Sequence, residues 1–492
     1  MSDGEYFTKI KYDETIKKIL SELEKSKPED AFGVLSRLLK EKALPPTIDH
    51  LVGRQVLDSR GNPTVEVDVY AKHLGEVVLV ARSSAPSGAS TGSGEAMELR
   101  DKDNSKYGGK GTEKASANVA EKISPAVKGE KFCDLTNLDD KICKADGTEL
   151  KTNIGGNACT AASFALAEAA AKLKGVELFQ YLAENYYGAG KAPKKFSLPA
   201  PCFNILNGGK HAGGNLQIQE FMLTPNTKRS YPDQLRVIAE VYQHLGALLV
   251  KEHGVSAKNL GDEGGFAPNL DTPAQALDII ERAVKAAGYV PVDDVKYCLD
   301  CASSEFYNEE TKKYEIEKGS WKTGDELIEY YQDLINKYPA ITSIEDPFDE
   351  HDYETWTKFT AAVGSKVQIV GDDLYTTNPK TIAKGIAGKW ANALLLKVNQ
   401  IGTISEAFQA AKLIHNVNQN VMVSHRSGET CNSVIADIAV AIGAKYIKTG
   451  STARGERIQK YTRLLQIYDY LKENKILNES GSKASSSCCS LI

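Results

Sequence analysis

Seven ionisable residues fall inside or just after short apolar runs in the C-terminal part of this sequence. Glu220 interrupts QIQEFML, Asp300 ends YCLD, Glu345 ends ITSIED and Asp372 ends QIVGDD; Lys397 follows ALLL, His425 follows VMVS and Lys448 follows YI. Asp300, Glu345 and Asp372 form an all-oxygen set without sulfur. Such a set suits a hard cation that keeps some waters and meets an anionic substrate directly, which favours Mg²⁺ over Zn²⁺. One acid of this kind, taken alone, is more often a salt bridge or a helix cap; three at matched strand ends point to a metal. Lys397 and Lys448 end otherwise apolar runs at equivalent positions. An amine near another cation and near metal ions loses its proton more readily, so one of the two suits a general base. The competing reading is a lysine that only neutralises the acids.

Two loops add to this set. SGASTGSGE, residues 87–95, is small and rich in hydroxyls, so Ser90 could reach a metal or a phosphate once the loop closes. It lacks the GK[ST] ending of a nucleotide P-loop, which argues against ATP. NGGKHAGGN, residues 207–215, offers His211 on a lid, although a lone loop histidine is more often solvated surface.

These groups need a scaffold that carries strand ends to one rim. CFNIL, QIQEFML, VKYCLD, AITSIED, VQIVGDD, NALLLKV, NVMVSH and KYIKTG read as strands, and most are separated by helical stretches such as GDELIEYYQDLINK. Eight is the number that closes a (β/α) barrel, whose active sites lie at the C-terminal edge of the strands. An open doubly wound sheet is the alternative. No helix separates the first two strands, so the barrel is not a simple eightfold repeat. Upstream, VEVDVY alternates as a half-buried strand should, within a meander from Leu51 to about Ser84. NACTAASFALAEAAAKLKG is apolar on nearly all sides, which predicts a helix buried against a sheet or partner. Together they read as an α+β domain ending near residue 190. Before it, Ile16, Ile19, Leu20 and Leu23, then Phe32, Leu35, Leu38 and Leu39, mark two short amphipathic helices that must dock on the body or on another copy.

The 492 residues, with 41% hydrophobic and 25% charged, are ordinary globular values. A net charge of −5 gives no electrostatic case for nucleic acid or an acidic membrane surface. No run is long and apolar enough to span a bilayer, and the first residues are too charged for a signal-peptide core. The nine scattered cysteines read as reduced, and the location as cytoplasmic. Cys298 and Cys301 match CxxC, but on a strand they point to opposite faces, against a zinc or redox role.

With these segments assembled, the sequence resembles the enolase family from about Ile48 to about Tyr470. The carriers are DSRGNPTVEVD at 58–68, SGASTG at 87–92, FNILNGG with His211, QEFM at 219–222, GDEGGFAPN at 261–269, SIEDPF at 343–348, GDDL at 371–374, LLLKVNQIGT at 394–403, SHRSGET at 424–430 and IKTG at 447–450. The resemblance implies an α+β capping domain at 48–190 and a barrel of order ββαα(βα)₆ at 191–475. It also implies a homodimer, two Mg²⁺ per active site, and reversible dehydration of 2-phosphoglycerate to phosphoenolpyruvate. By the same resemblance Asp300, Glu345 and Asp372 hold the first Mg²⁺, and the second sits toward Ser90. Lys397 removes the C2 proton, while Glu263, supported by Glu220, protonates the leaving hydroxyl. His211, His425, Arg426, Ser427 and Lys448 fix the phosphate and carboxylate.

Departures from the family pattern are Ser93 and Gly94 in the lid, which should loosen it, Lys210 before the lid histidine, Cys431 to Ser433, and GSTARGER at 450–457. None removes a catalytic or metal position. Residues 1–47 weakly resemble docking-and-dimerisation hairpins, which leaves a protein partner, packing on the enzyme, or an inert extension open. A docking or structural protein with secondary activity is the alternative function. The tail, 476–492, is Ser-rich; Cys489 to Ile492 fit a loose prenylation box beside Cys488, so membrane attachment requires lipidation there.

Overall fold

The computed structural model describes residues 11–88 and 92–478; Ser90, Cys488 and Cys489 lie outside the described residues. Helices α1 (Tyr12–Ser26) and α2 (Ala31–Lys40) form a hairpin whose second arm begins where Asp30 accepts the Gly33 N–H at 2.8 Å. They pack on each other and bury Ile19 and Leu38, but leave Leu20, Phe32, Leu39 and Leu44 exposed.

The expected meander is present as an antiparallel sheet of β1 (Thr47–Leu57), β2 (Pro63–His73) and β3 (Glu76–Ser84). Alternation puts Val65, Val67, Val69 and Ala71 into the core. The opposite face is not simply wet: Asp68 is buried because Arg54 and Arg82 both close on its carboxylate. Helix α3 (Gly156–Lys174) lies against β2 and β3 on one side and meets the barrel on the other, which explains its apolar circumference. Small side chains permit that close approach, and two hydroxyls fasten it. Thr160 donates to the Gly402 carbonyl, and Ser163 accepts the Ile404 N–H, both at 3.0 Å.

All eight expected strands close into one barrel: β4 (Ala200–Asn207), β5 (Glu220–Pro225), β6 (Val295–Asp300), β10 (Ile341–Glu345), β11 (Gln368–Gly371), β12 (Ala393–Leu396), β13 (Asn420–Ser424) and β14 (Tyr446–Lys448). β5 runs antiparallel to both β4 and β6, whereas the other neighbours are parallel. Helices α4 (Tyr231–His253) and α5 (Pro273–Ala286) lie between β5 and β6, and α6 (Gly324–Lys337), α7 (Tyr353–Val363), α8 (Pro379–Gly388), α9 (Ile404–Asn416), α10 (Val434–Ala441) and α11 (Gly455–Glu473) alternate with the rest. This is the ββαα(βα)₆ order. A small sheet of β7 (Tyr307–Asn308), β8 (Lys313–Glu317) and β9 (Ser320–Lys322), which the sequence patterns did not suggest, is inserted after β6.

Inside the barrel, Cys202, Met222, Cys298, Val370, Ala393, Leu395 and Met422 form their own apolar cluster. Cys301 belongs to the outer core, so the two cysteines of the CxxC sequence do point apart. Cys133 and Cys431 are exposed. No helix among the described residues is long and apolar enough to cross a membrane.

Candidate active site

The barrel topology explains how Glu220 reaches the same rim as the other acids. Contrary to the expectation that it interrupts a strand, it starts β5. Because β5 is antiparallel, its first residue lies beside the last residue of its neighbours, Asn207 of β4 and Asp300 of β6. Glu345 in turn pairs with Asp300.

Lys448 projects into this ring. Its Nζ lies 2.7 Å from Asp300, 2.9 Å from Glu345 and 3.2 Å from Glu220. Burial alone would lower its pKa, but Asp300, Glu220 and Glu345 outweigh that and raise it well above the usual lysine value. Lys397 donates to Asp372 at 2.5 Å. Its burial is likewise outweighed by the Asp372 charge, while Arg426 and Lys448 push the other way. The two lysines thus occupy the spaces between Asp300, Glu345 and Asp372.

Two acids on this rim escaped the motif reading. Asp346 accepts the backbone N–H groups of Asp372 and Asp373, both at 2.9 Å. Asp346, Asp372 and Asp373 bring ligand oxygens close enough to share an ion, as do His211, Glu220 and Glu263 with their ring nitrogen and oxygens. Burial, then neighbouring carboxylates, push Glu345, Asp346 and Asp373 well above the ordinary range. Buried acids therefore outnumber the two lysines, and the donors are mainly oxygen. This surplus fits a hard divalent cation.

The opposite wall is built from histidines and Glu263. His211 sits in the helical turn Gly209–Ala212 and is buried, not solvated: its Nδ1 lies 3.5 Å from Glu220 and 3.9 Å from Glu263. Glu263 accepts the Asn204 amide at 3.1 Å. His425 Nε2 is 3.0 Å from Glu263, close but outside hydrogen-bond alignment. Arg457 donates to His425 Nδ1 at 2.7 Å, which places the neutral ring's proton on Nε2. Burial brings the His425 pKa down to about 4, against the pull of Glu263. Burial and the Glu263 charge push Glu220 well above the carboxylate range, so a proton is available on this wall.

Arg426 does not point free into the pocket. Its guanidinium binds Glu95 at 2.8 Å and Asn399 at 3.1 Å. Glu95, which has no motif signal of its own, thereby fastens the described end of the hydroxyl-rich segment to Arg426. Ser427 accepts from Arg60 at 3.2 Å. Arg457 also donates to the carbonyls of Arg426 and Ser427 at 2.6 Å and of Asp262 at 3.0 Å, tying SHRSGET to GDEGG. At the lid, Ser93 donates to Glu350 at 3.2 Å, and Lys210 pairs with Glu305.

Comparison with known proteins agrees with this geometry. The profile described as "Enolase, N-terminal domain" matches residues 48–182, and that described as "Enolase, C-terminal TIM barrel domain" matches residues 195–486. The chain is 45% identical over 436 residues to Enolase B of Dictyostelium discoideum, covering 87% of this chain and 96% of that protein. It is 47% identical over 426 residues to the enolase of Methanopyrus kandleri, again covering 87% and 96%.

Proposed function

The chain belongs to the enolase family, and from that premise we infer how its rim residues divide the work of a phosphopyruvate hydratase. The activity is the reversible, glycolytic dehydration of 2-phosphoglycerate to phosphoenolpyruvate, a carbon–oxygen lyase reaction. The observation that carries the reading is the placement of the largely buried Lys397 at one side of the rim and of the buried Glu220 and Glu263 carboxyls at the other.

In this reading Lys397 takes the C2 proton at Nζ. Arg426 and Lys448 favour its neutral form, whereas its contact with Asp372 opposes it. Across the rim, the Glu220 and Glu263 pair supplies the proton that lets the C3 hydroxyl leave as water. His211, His425, Arg426 and Ser427 line the place for the phosphate, and Lys448 favours the substrate carboxylate. Asp300, Glu345 and Asp372 would hold one Mg²⁺, and a second would lie toward Ser90. When bound, the metal withdraws charge from the substrate carboxylate and makes the C2 proton more acidic. His425, kept neutral by burial, borders Glu263 without adding a charge, while the Asn204 amide holds the carboxylate. The reading includes a homodimer, a cytoplasmic location, and division into a capping domain at 48–190 and a barrel at 191–475.

The test is Mg²⁺-dependent formation of phosphoenolpyruvate by wild type and Lys397→Ala. Removing a general base costs on the order of 10²–10⁴-fold in turnover. A folded Lys397→Ala protein with wild-type turnover would remove Lys397 from that role.

A further inference from the structure

The barrel has a second mouth. Alternation along β6 sends Asp300, Cys298 and Lys296 to the same inner face, and along β5 it does so for Glu220, Met222 and Thr224. Four residues of strand span about 13 Å. Lys296 and Thr224 therefore lie at the end opposite the catalytic rim, behind the apolar cluster that contains Cys298 and Met222.

A cavity of about 900 Å³ opens at that end. Its wall carries Lys228, Arg229, Lys296, Lys445 and Lys472 against only Asp293 and Asp294. Arg229 is committed to Asp294 at 2.6 Å. Among the described residues, Lys228, Lys296 and Lys445 have no carboxylate partner; Lys445 lies 5.5 Å from the centre of the Tyr446 ring. Lys228, Lys296 and Lys445 are all exposed to the cavity and solvent; crowding of the Lys445 ammonium by protein, then the Lys296 charge, lower its pKa, which places the two side chains near each other. The N-terminus of α4, a 23-residue helix, also faces this space through Ser230 and Tyr231, adding positive potential. Leu198, Tyr446 and Tyr468 give the wall an apolar side. The wall is about as polar as it is apolar, and the size of the cavity falls in the range of small-molecule sites, where a few convergent charges fix the ligand.

We propose that this cavity binds a small phosphorylated metabolite, with the phosphate held by Lys228, Lys296 and Lys445 and the organic body against Tyr446 and Tyr468. It is separate from the catalytic rim, and its existence does not depend on the roles assigned there.

The test is equilibrium dialysis of the full chain with radiolabelled inorganic phosphate, comparing wild type with Lys296→Met/Lys445→Met. The double variant is expected to lose one phosphate per chain while keeping wild-type turnover, which also certifies its fold. Equal stoichiometry and affinity in the two proteins overturns the proposal. If the double variant does not fold, Lys296→Gln and Lys445→Gln singly should each weaken phosphate binding by about tenfold; unchanged binding in both refutes it. Loss of all phosphate binding in Arg426→Ala would assign the anion to the catalytic rim alone and overturn it too. Citrate is the second arm: displacement of phosphate by citrate at equal concentration overturns the phosphate assignment in favour of a polycarboxylate, and phosphate retention supports it.

Discussion

Arg457→Met offers the sharpest check on how the site is held. Arg457 is fully buried and touches no reacting position, yet it satisfies His425 Nδ1 and the carbonyls of Arg426, Ser427 and Asp262. Methionine keeps much of the length and removes every donor. Each buried acceptor left unsatisfied costs about 1–3 kcal/mol, and part of the total returns because the buried guanidinium also vanishes. The net loss should be about 3–5 kcal/mol, the range for breaking a buried charged network. A second effect is specific to His425. Its folded pKa of about 4 lies below the unfolded value of about 6.5. The unfolded chain therefore takes up the proton first, and wild type loses stability as pH falls from about 6.5 toward 4, by up to roughly 3 kcal/mol from this group. In Arg457→Met the Glu263 charge acts without that opposing cation, the imidazole pKa rises, and the dependence flattens. Urea unfolding at about pH 7.5 and about pH 5 measures both effects. A variant within about 1 kcal/mol of wild type, with an unchanged pH difference, would refute the argument.

Three further outcomes are expected. Chelation with EDTA should abolish turnover and lower the melting temperature, and Mg²⁺ should restore both, because the surplus of buried carboxylates at the rim then regains its counter-charge; calorimetry and a coupled absorbance assay read the two effects. Ser163→Ala should cost about 1–2 kcal/mol in urea unfolding, since the buried Ile404 N–H loses its acceptor. Removing residues 1–46, which end just before β1, should leave turnover unchanged, and sedimentation will show whether the exposed apolar residues of the hairpin contribute to assembly.

Much of this architecture was legible because its signals are local. The eight barrel strands are short apolar runs, and six of them end at or just before a side chain that the chemistry needs: Asp300, Glu345, Asp372, Lys397, His425 and Lys448. Glu220 shows where such reading stops: its distance from the start of the apolar run suggested an interruption, and only the antiparallel course of β5 explains its place on the rim. His211 has the small, glycine-rich flanks of a surface loop, and its burial follows from packing against Glu220 and Glu263 from distant segments. Glu95, Asp346 and Asp373 carry no signal of their own, although each lies within or beside a recognisable motif. Arg457 carries no periodic or spacing signal, because its work consists of contacts with two segments distant in sequence, residues 425–427 and Asp262. The sheet of β7, β8 and β9 has strands as short as two residues, too short for alternation to register.

The contacts of α3 restrict how the protein can open. Thr160 and Ser163 reach the ends of barrel segments at Gly402 and Ile404, and Asp139 accepts the backbone N–H and the hydroxyl of Ser405. Three barrel positions within four residues, 402, 404 and 405, are thus moored to the capping domain through buried polar bonds, where a sliding interface would have to break all of them at once. The capping domain acts as a fixed wall rather than a jaw. Substrate entry must then be gated by excursions of single loops over the rim, so that rates of binding and release should respond to loop sequence far more than to any change that stiffens the interdomain boundary.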